Sequence, residues 1–251
     1  MSGIIYVVGI GPGDRDHMTF KACEVLKKVD VIIGYGTYIE LIEDLIEGKE
    51  IINSGMTKEI ERARQSVKIA LEGKEVAVIS SGDPGVYGMA GIVLELAQDL
   101  VPVEIIPGVT AATAVAAALG APLMHDFAVI SLSDLLTPWH KIMTRLEAAS
   151  LGDMVIVLYN PKSRGRIKNI ETAREIILWH RDPQTPVGLV RNAKRGDEEV
   201  VITTLKDMLS HQIDMLTTVI VGNSETSIEK GKIITPRGYQ KKQNYSKAQE
   251  V

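Results

Sequence analysis

The sequence predicts an α/β protein of two α/β domains, with a mainly parallel sheet in the first domain and a mixed sheet in the second. Short β-branched runs alternate with helical patterns through the first half of the chain. A less regular series of such runs follows a helix-breaking Gly-Ala-Pro at residues 120–122. At 251 residues and 45% hydrophobic content the chain is long enough for two packed units, and with only 4% aromatic residues its core must be mainly aliphatic.

The strand-like runs of the first half alternate with amphipathic segments, as in a parallel sheet with right-handed crossovers. They occupy residues 4–8, 31–34, 75–80 and 103–106. Residues 57–71 show the helical period, with apolar side chains on one face and charges on the other.

The second half begins at the 120–122 break, which sets the predicted domains at residues 1–120 and 121–235. Its strand-like runs occupy residues 127–131, 154–159, 187–190, 200–203 and 218–221, with helical patterns at 138–149 and 164–180. Residues 236–251 carry polar and basic side chains and almost nothing to bury, which predicts a mobile tail.

Composition narrows the class of protein. A net charge of −4 argues against a general nucleic-acid binder, which needs a broad cationic surface. Cys23 is the only cysteine and the five histidines lack metal-binding spacing, so we expect no disulfide, no protein-bound metal and a reducing cytoplasm. The apolar stretch at 109–123 is shorter than the ~20 residues that cross a bilayer, and the run at 4–10 lacks a basic leader. No membrane span is expected.

The first candidate ligand loop is Gly-Ile-Gly-Pro-Gly-Asp at residues 9–14. It starts like a dinucleotide fingerprint, but Asp14 stands where the third glycine belongs, and its carboxylate would repel a pyrophosphate. Pro12 also removes an amide donor. A tight turn that needs glycines for positive φ and a loop that contacts a ligand are equal alternatives here.

Two further loops follow predicted strands. Residues 80–88 hold three glycines and a proline, and we favour a ligand-binding role over a turn in which Asp83 caps a helix, because ligands bind at the carboxyl edge of parallel sheets. A carboxylate beside closely approaching backbone suits a ribose diol or an ammonium group better than a phosphate. Residues 107–113 open a helix of small residues, which could approach either a ligand or a neighbouring helix.

The three loops, in this order, resemble the tetrapyrrole methylase family of S-adenosylmethionine-dependent methyltransferases. The resemblance reaches to about Thr235, and it implies two α/β domains with S-adenosylmethionine in a cleft between them. Carried over by motif, it implies cofactor contacts from both domains. These residues are Pro12, Ser81, Gly82, Asp83, Val86, Thr110, Ala111, Tyr159, Asn160, Ala193, Thr217 and Thr218.

Segments of the second half resemble the subgroup that methylates carbon 17 of precorrin-3B or cobalt-precorrin-3 in cobalamin biosynthesis. The clearest are HDFAVISLSDLLTPW at residues 125–139 and LYNPKSR at 158–164. The resemblance implies methyl transfer, for which positioning can suffice, and ring contraction, which needs proton transfer. The candidate catalytic residues are His125, Asp126, Ser131 and Asp134. The alternatives are a core or interdomain histidine satisfied by a carbonyl, for His125, and a helix cap, for Asp134.

Basic residues gather in two short loops of an otherwise acidic protein. A corrinoid substrate with several acetate and propionate groups would give these cations a ligand, and solvated surface is the alternative. The candidate substrate-binding residues are Lys162, Arg164, Arg191 and Lys194, with Arg166 and Arg195 in the same loops.

Several alternatives stay open at this point. They are another reaction of the same family, including modification of ribosomal RNA or of a diphthamide precursor, a non-catalytic S-adenosylmethionine sensor, and a nicotinamide dehydrogenase. The sequence does not distinguish a metal-free substrate from one that carries cobalt. A homodimer is expected, partly from the resemblance and partly because apolar helices such as residues 92–100 leave surface to cover.

Overall fold

The computed structural model describes residues 2–55, 57–163 and 165–242. The chain divides into two compact units, the first comprising Met1–Ala114 with Lys194–Gly196 and the second Val115–Ala193 with Asp197–Val251. The division falls before residues 120–122, and Gly120 and Ala121 pair with a strand of the second unit. Each unit contains one five-stranded sheet, parallel in the first and mixed in the second, so the predicted α/β fold class is confirmed.

The first unit is built on a parallel sheet with strand order β3-β2-β4-β1-β5. Its strands are β1 (Ile4–Gly9), β2 (Val31–Tyr35), β3 (Glu50–Ser54), β4 (Glu75–Ser80) and β5 (Val103–Ile106). The helices between them are α1 (Phe20–Lys28), α2 (Gly36–Glu40), α3 (Glu59–Leu71) and α4 (Ala90–Ala97). Helix α5 (Ala111–Leu119) follows β5 and is divided between the two units. The sequence predicted four of these strands and missed β3.

Alternating side chains of β1 divide the core of the first unit into two layers, as the period of a strand requires. Ile5 and Val7 pack in a buried cluster with residues of α3 and α4. Tyr6 and Val8 pack on the other face with residues of α1 and α2. Helices therefore cover both faces of the parallel sheet, so its strand ends are where loops can carry a site.

The second unit is built on a mixed sheet with strand order β10-β9-β11-β8-β7. Its strands are β7 (Phe127–Ser131), β8 (Val155–Tyr159), β9 (Pro186–Arg191), β10 (Glu199–Thr204) and β11 (Thr217–Val221), and its helices are α6 (Trp139–Leu151) and α7 (Asn169–Leu178). A small sheet combines β6 (Gly120–Ala121), β12 (Ser227–Glu229) and β13 (Lys232–Ile234).

The register of the mixed sheet gathers several strand ends at one edge. β7 runs parallel to β8, and both β8 and β9 run antiparallel to β11. The carboxyl ends of β7, β8 and β9 therefore lie at the same edge as the amino end of β11.

The predicted tail is described only in its first part. A 3-10 turn occupies Tyr239–Lys241, and the remainder, residues 243–251, lies outside the described residues. Within the described ranges, no helix is both long and apolar enough to cross a bilayer.

Candidate functional site

Three loops of the first unit approach one another at the carboxyl edge of the parallel sheet, where β4, β1 and β5 are neighbours. A Cβ atom on Gly9 would lie 2.8 Å from both the Gly108 Cα atom and the Gly82 carbonyl oxygen. A Cβ atom on Gly108 would lie 2.1 Å from that same oxygen. Glycine is thus required at these two positions by contact between backbones.

Gly11 and Gly82 join the first two loops by a pair of backbone hydrogen bonds. The Gly11 N–H donates to the Gly82 carbonyl at 3.2 Å, and the Gly82 N–H donates to the Gly11 carbonyl at 2.7 Å. Both residues have positive φ, at 73° and 67°, a conformation in which a Cβ atom is strained. The tight-turn interpretation of the first loop is therefore correct, and it is compatible with ligand contact.

The Asp83 carboxylate fastens the second loop to the third. One oxygen accepts from the Gly85 N–H at 2.8 Å, and the other accepts from the Gly108 N–H at 3.0 Å. The next helix, α4, starts at Ala90 and has Met89 at its N-cap position. The alternative in which Asp83 caps that helix is wrong, and the side chain instead fixes the spacing of the two loops.

Backbone donors decide which ligand these loops suit. A pyrophosphate site needs several N–H groups directed at the phosphate. Here the amides of Gly11, Gly82, Gly85 and Gly108 all donate inside the protein, and Pro12 has no amide proton. Asp14 accepts from the His17 backbone N–H at 3.1 Å. These four amides are therefore not available to cradle a dinucleotide phosphate, which argues against the dehydrogenase alternative.

The other predicted cofactor residues of the first unit flank this edge. Pro12 is buried, whereas Ser81, Val86, Thr110 and Ala111 are partly exposed. The segment Lys194–Gly196, which belongs to the same unit, brings the Arg195 Nε to 3.0 Å from the Pro12 carbonyl oxygen. Arg195, expected among the substrate-binding cations, thus donates to the first glycine loop.

The predicted cofactor residues of the second unit lie at one edge of the mixed sheet. Tyr159 ends β8 and Asn160 follows it, Ala193 lies just after β9, and Thr217 and Thr218 begin β11. Thr217 pairs with Arg191, and Thr218 with Val190. Asn160 has a φ of 51° at the strand end. The structure therefore brings all five of these residues to the edge where β7, β8 and β9 end.

A polar contact joins the two segments that resemble the carbon-17 subgroup. The Asn160 side-chain amide donates to the Ser131 hydroxyl oxygen at 3.0 Å, and the Ser133 N–H donates to the same oxygen at 3.2 Å. The sequence predicted a catalytic role for Ser131 and a cofactor contact for Asn160 as separate residues, and it gave no prediction for Ser133. The only available signal was that all three lie in the two segments, 29 residues apart at the hydrogen bond.

The four candidate catalytic residues do not form one cluster. His125 and Asp126 precede β7, whereas Ser131 ends it and Asp134 follows. Five strand residues at about 3.3 Å each separate Asp126 from Ser131 by about 16 Å. The His125 side chain is 45% exposed and its Nδ1 accepts from the Asp126 N–H at 2.9 Å. This exposure contradicts the alternative in which His125 is a core residue.

Arg191, one of the predicted substrate-binding residues, is paired inside the protein. Its Nε donates to Asp214 at 2.9 Å, and its Nη1 lies 3.6 Å from Glu199 and 3.8 Å from Asp197. Arg191 therefore pairs with carboxylates of its own unit, and its role in binding substrate carboxylates stays a prediction. Lys162 and Lys194 are partly exposed, and Arg164 lies outside the described residues.

The contact with Arg191 affects the pKa of the Asp214 carboxyl. Partial burial raises the pKa of its carboxyl, but hydrogen bonds from Arg191, the Leu216 amide and the Thr217 hydroxyl outweigh burial and hold that pKa below its usual value. A carboxyl whose folded pKa is depressed stabilises the fold above its unfolded pKa, and this contribution is lost as pH falls through the folded value.

We expect Arg191→Ala to lower the free energy of unfolding at pH 7, because Asp214 loses its cation. The difference from the parent should shrink as pH falls through the depressed pKa of Asp214, where its carboxyl becomes protonated. Urea unfolding at pH 7 and pH 3 measures it, with the exposed Lys168→Ala as the control cation. Unchanged stability together with a raised corrinoid KM would return Arg191 to the substrate-binding set.

No group of three or more His, Cys, Asp or Glu side chains able to hold a metal ion occurs within residues 2–55, 57–163 and 165–242.

Similar proteins were found by sequence. A cobalt-factor III methyltransferase from Priestia megaterium is 51% identical over the whole of this chain, which spans about half (48%) of that relative. A probable cobalt-factor III C(17)-methyltransferase from Salmonella typhimurium strain LT2 is 49% identical, and the alignment covers 94% of this chain and 99% of the relative.

Solved structures of two methyltransferases are also similar to this chain. The methyltransferase CobJ is 35% identical with a TM-score of 0.89, covering 94% of this chain and 100% of CobJ. The uroporphyrin-III C-methyl transferase from Thermus thermophilus, complexed with S-adenyl homocysteine, is 26% identical with a TM-score of 0.69, covering 88% of this chain and 97% of that enzyme. The model of the tetrapyrrole (corrin/porphyrin) methylases matches residues 4–209. With its glycine-joined loops at the sheet edge and this match along most of its length, the chain belongs to the tetrapyrrole methylase family.

Proposed function

We infer that this chain transfers a methyl group from S-adenosylmethionine to carbon 17 of a corrinoid precursor and promotes contraction of its ring, in cobalamin biosynthesis. The observation that carries the inference is the alignment with the Salmonella relative, which extends along nearly the whole of both chains. Because the names of both relatives specify cobalt-factor III, we propose that the substrate carries cobalt.

S-adenosylmethionine supplies an electrophilic methyl group on a sulfonium cation, and we propose that the first-unit loops hold it. The internally used amides and the Asp83 carboxylate support this, since a cation and a ribose diol need no phosphate cradle. The proposed contacts from this unit are Pro12, Ser81, Gly82, Asp83, Val86, Thr110 and Ala111. Those from the second unit are Tyr159, Asn160, Ala193, Thr217 and Thr218.

The work of the protein in methyl transfer is to bind and to orient. A carbon that is already nucleophilic needs no activating side chain, and good orientation alone can supply effective molarities of about 10⁵ M. We propose that Lys162, Arg164 and Lys194 bind acetate and propionate groups of the corrinoid. Ring contraction needs proton transfer in addition, for which the carboxyl end of β7 offers Ser131 and Asp134.

The decisive test is turnover of a defined substrate. We expect the parent protein, given isotopically labelled S-adenosylmethionine, to place one methyl group on carbon 17 of the cobalt-containing substrate and to yield a contracted ring. The metal-free form, supplied in parallel, should turn over at least about tenfold more slowly. Mass spectrometry gives the extent of reaction, and NMR gives the methylated carbon. Methylation at another carbon would contradict the assignment, and equal turnover of both forms would contradict the cobalt preference.

We also propose that the protein acts as a homodimer in the cytoplasm. Leu94 in α4 and Leu100 just after it are 48% and 57% exposed, and symmetric association would cover such apolar side chains. A lone cysteine, Cys23, suits a reducing compartment. Light scattering at micromolar concentration would reveal a monomer if the dimer proposal is wrong.

A further inference from the structure

Arg166 lies in the loop between β8 and α7, and its side chain is only 14% exposed. Its backbone is fixed by reciprocal hydrogen bonds with Ser163, at 3.1 Å and 3.3 Å. Its Nε donates to the Ser163 hydroxyl at 3.1 Å. One terminal nitrogen, Nη1, donates to the Ser133 hydroxyl and lies 3.8 Å from an Asp134 carboxylate oxygen. The guanidinium thus joins its own loop to the loop that follows β7.

The same two loops are joined at the preceding residues. Asn160 donates to the Ser131 hydroxyl at 3.0 Å. The Leu132 N–H donates to the Tyr159 carbonyl at 2.9 Å, and the Leu132 carbonyl accepts from the Asn169 side chain at 2.9 Å. Each residue from Ser131 to Asp134 is therefore in contact with the segment 159–169. Arg166 makes the contacts with Ser133 and Asp134.

A second arginine of the unit shows what a purely structural role looks like. Arg174, in α7, donates to the backbone carbonyls of Leu205 and Lys206 at 2.8 Å and 2.6 Å. Arg166 instead donates to two side-chain hydroxyls and approaches a carboxylate. Several partners in different directions use the planar fork of a guanidinium, which the single ammonium of lysine cannot reproduce.

We propose that Arg166 is a positioning residue for ring contraction. It holds Ser133 and Asp134 against the loop after β8, so that the Asp134 carboxylate, which is 40% exposed, is presented to the corrinoid in a fixed orientation. The proposal rests on the proposed function, because it assigns Arg166 to the second step of that reaction.

The first arm of the test compares Arg166→Ala and Arg166→Lys with Arg174→Ala as the matched control. Arg166→Ala should slow contraction about 10- to 100-fold, as expected for a reacting group displaced by about 1 Å, with affinity for S-adenosylmethionine unchanged. Arg166→Lys should recover only part of the rate. Arg174→Ala should contract the ring at the parent rate. A parent-like rate in Arg166→Ala, or an equal loss in Arg174→Ala, would overturn the proposal.

The second arm asks whether Arg166 acts through Asp134. If it does, the double variant Arg166→Ala with Asp134→Asn should contract the ring no more slowly than the slower single variant, because the two changes remove one function. Independent roles would instead make the two losses multiply, which contradicts the proposal. A purely global loss of stability would lower methyl transfer and contraction together, and this too would count against it.

A third arm needs no substrate and so separates this proposal from the proposed function. Hydrogen exchange of the backbone amides at residues 132–137 should be faster in Arg166→Ala than in the parent, and unchanged in Arg174→Ala. If the parent fails to methylate the corrinoid while exchange rises as expected, the proposed function fails and the joining of the two loops stands. Unchanged exchange of the amides at residues 132–137 in Arg166→Ala would contradict the positioning role, even if the parent protein is fully active.

Discussion

Gly108→Val is expected to raise the Kd for S-adenosylmethionine by at least about 100-fold, which corresponds to about 2.7 kcal/mol. Its Cβ atom would lie 2.1 Å from the Gly82 carbonyl oxygen and 2.9 Å from the Gly9 Cα atom. These neighbours are backbone atoms, so one loop must shift, and the Gly108 N–H would lose its alignment with Asp83. Calorimetric titration measures the Kd. Urea unfolding should show an accompanying loss of about 1–3 kcal/mol from overpacking.

Gly91→Ala is the matched control for this substitution. Gly91 lies in α4 of the same unit, is exposed, and would place its Cβ atom with nothing within 4 Å. Alanine there should leave the Kd unchanged and stabilise the helix by about 0.5–1 kcal/mol. Asp83→Asn provides a milder change at the loops, because the backbone stays intact while one of two amides loses its acceptor. Parent-like affinity in both Gly108→Val and Asp83→Asn would place the cofactor elsewhere.

The sequence predicted four strands of the parallel sheet, including the edge strand β5, and missed the other edge strand, β3. β1 and β4 read as continuous apolar runs because helices cover both sides of the sheet. β3 lies at the edge, and its Ile51 is 45% exposed, so its short segment shows neither a buried run nor a strict alternation. Its place depends on pairing with β2, which no local pattern records.

The loops of the site could be found from the sequence, but the reason for their glycines could not. Gly11 and Gly82 are explained by positive φ, which a turn signal suggests. Gly9 and Gly108 are required because backbones from strands about 100 residues apart in sequence touch, and this follows only from the strand order. A glycine that serves a turn and one that serves a contact look the same in one sequence.

Charged residues show the opposite difficulty, because a sequence gives the charge and not its partner. Arg191 and Arg166 were expected to bind substrate carboxylates since the loops are basic. Arg191 is paired with Asp214, 23 residues later, and Arg166 donates to Ser133, 33 residues earlier. The separation of His125 from Asp134 was already contained in the sequence, since a strand was predicted at residues 127–131, between them.

Asp134→Asn is expected to slow ring contraction by about 100-fold or more, whereas His125→Ala should contract the ring within about threefold of the parent rate. The two residues lie at opposite ends of β7, so at most one of them serves the reacting carbon. We choose the carboxyl end, because ligands bind where parallel strands end and because Ser131, Asn160 and Arg166 organise that end.

Asparagine keeps the shape of Asp134 but cannot take up or release a proton at neutral pH, so methyl transfer should fall much less than contraction. A methylated, uncontracted corrinoid should then accumulate, and mass spectrometry together with absorption spectra of the product would detect it. Asp126→Asn, at the same end of β7 as His125, is the matched control for the change of carboxylate to amide. Accumulation of the uncontracted species in His125→Ala or Asp126→Asn, with parent-like contraction in Asp134→Asn, would assign proton transfer to the amino end of β7. The contacts of Arg166 with Ser133 and Asp134 would then have no role in the reaction, because they lie only at the carboxyl end of β7.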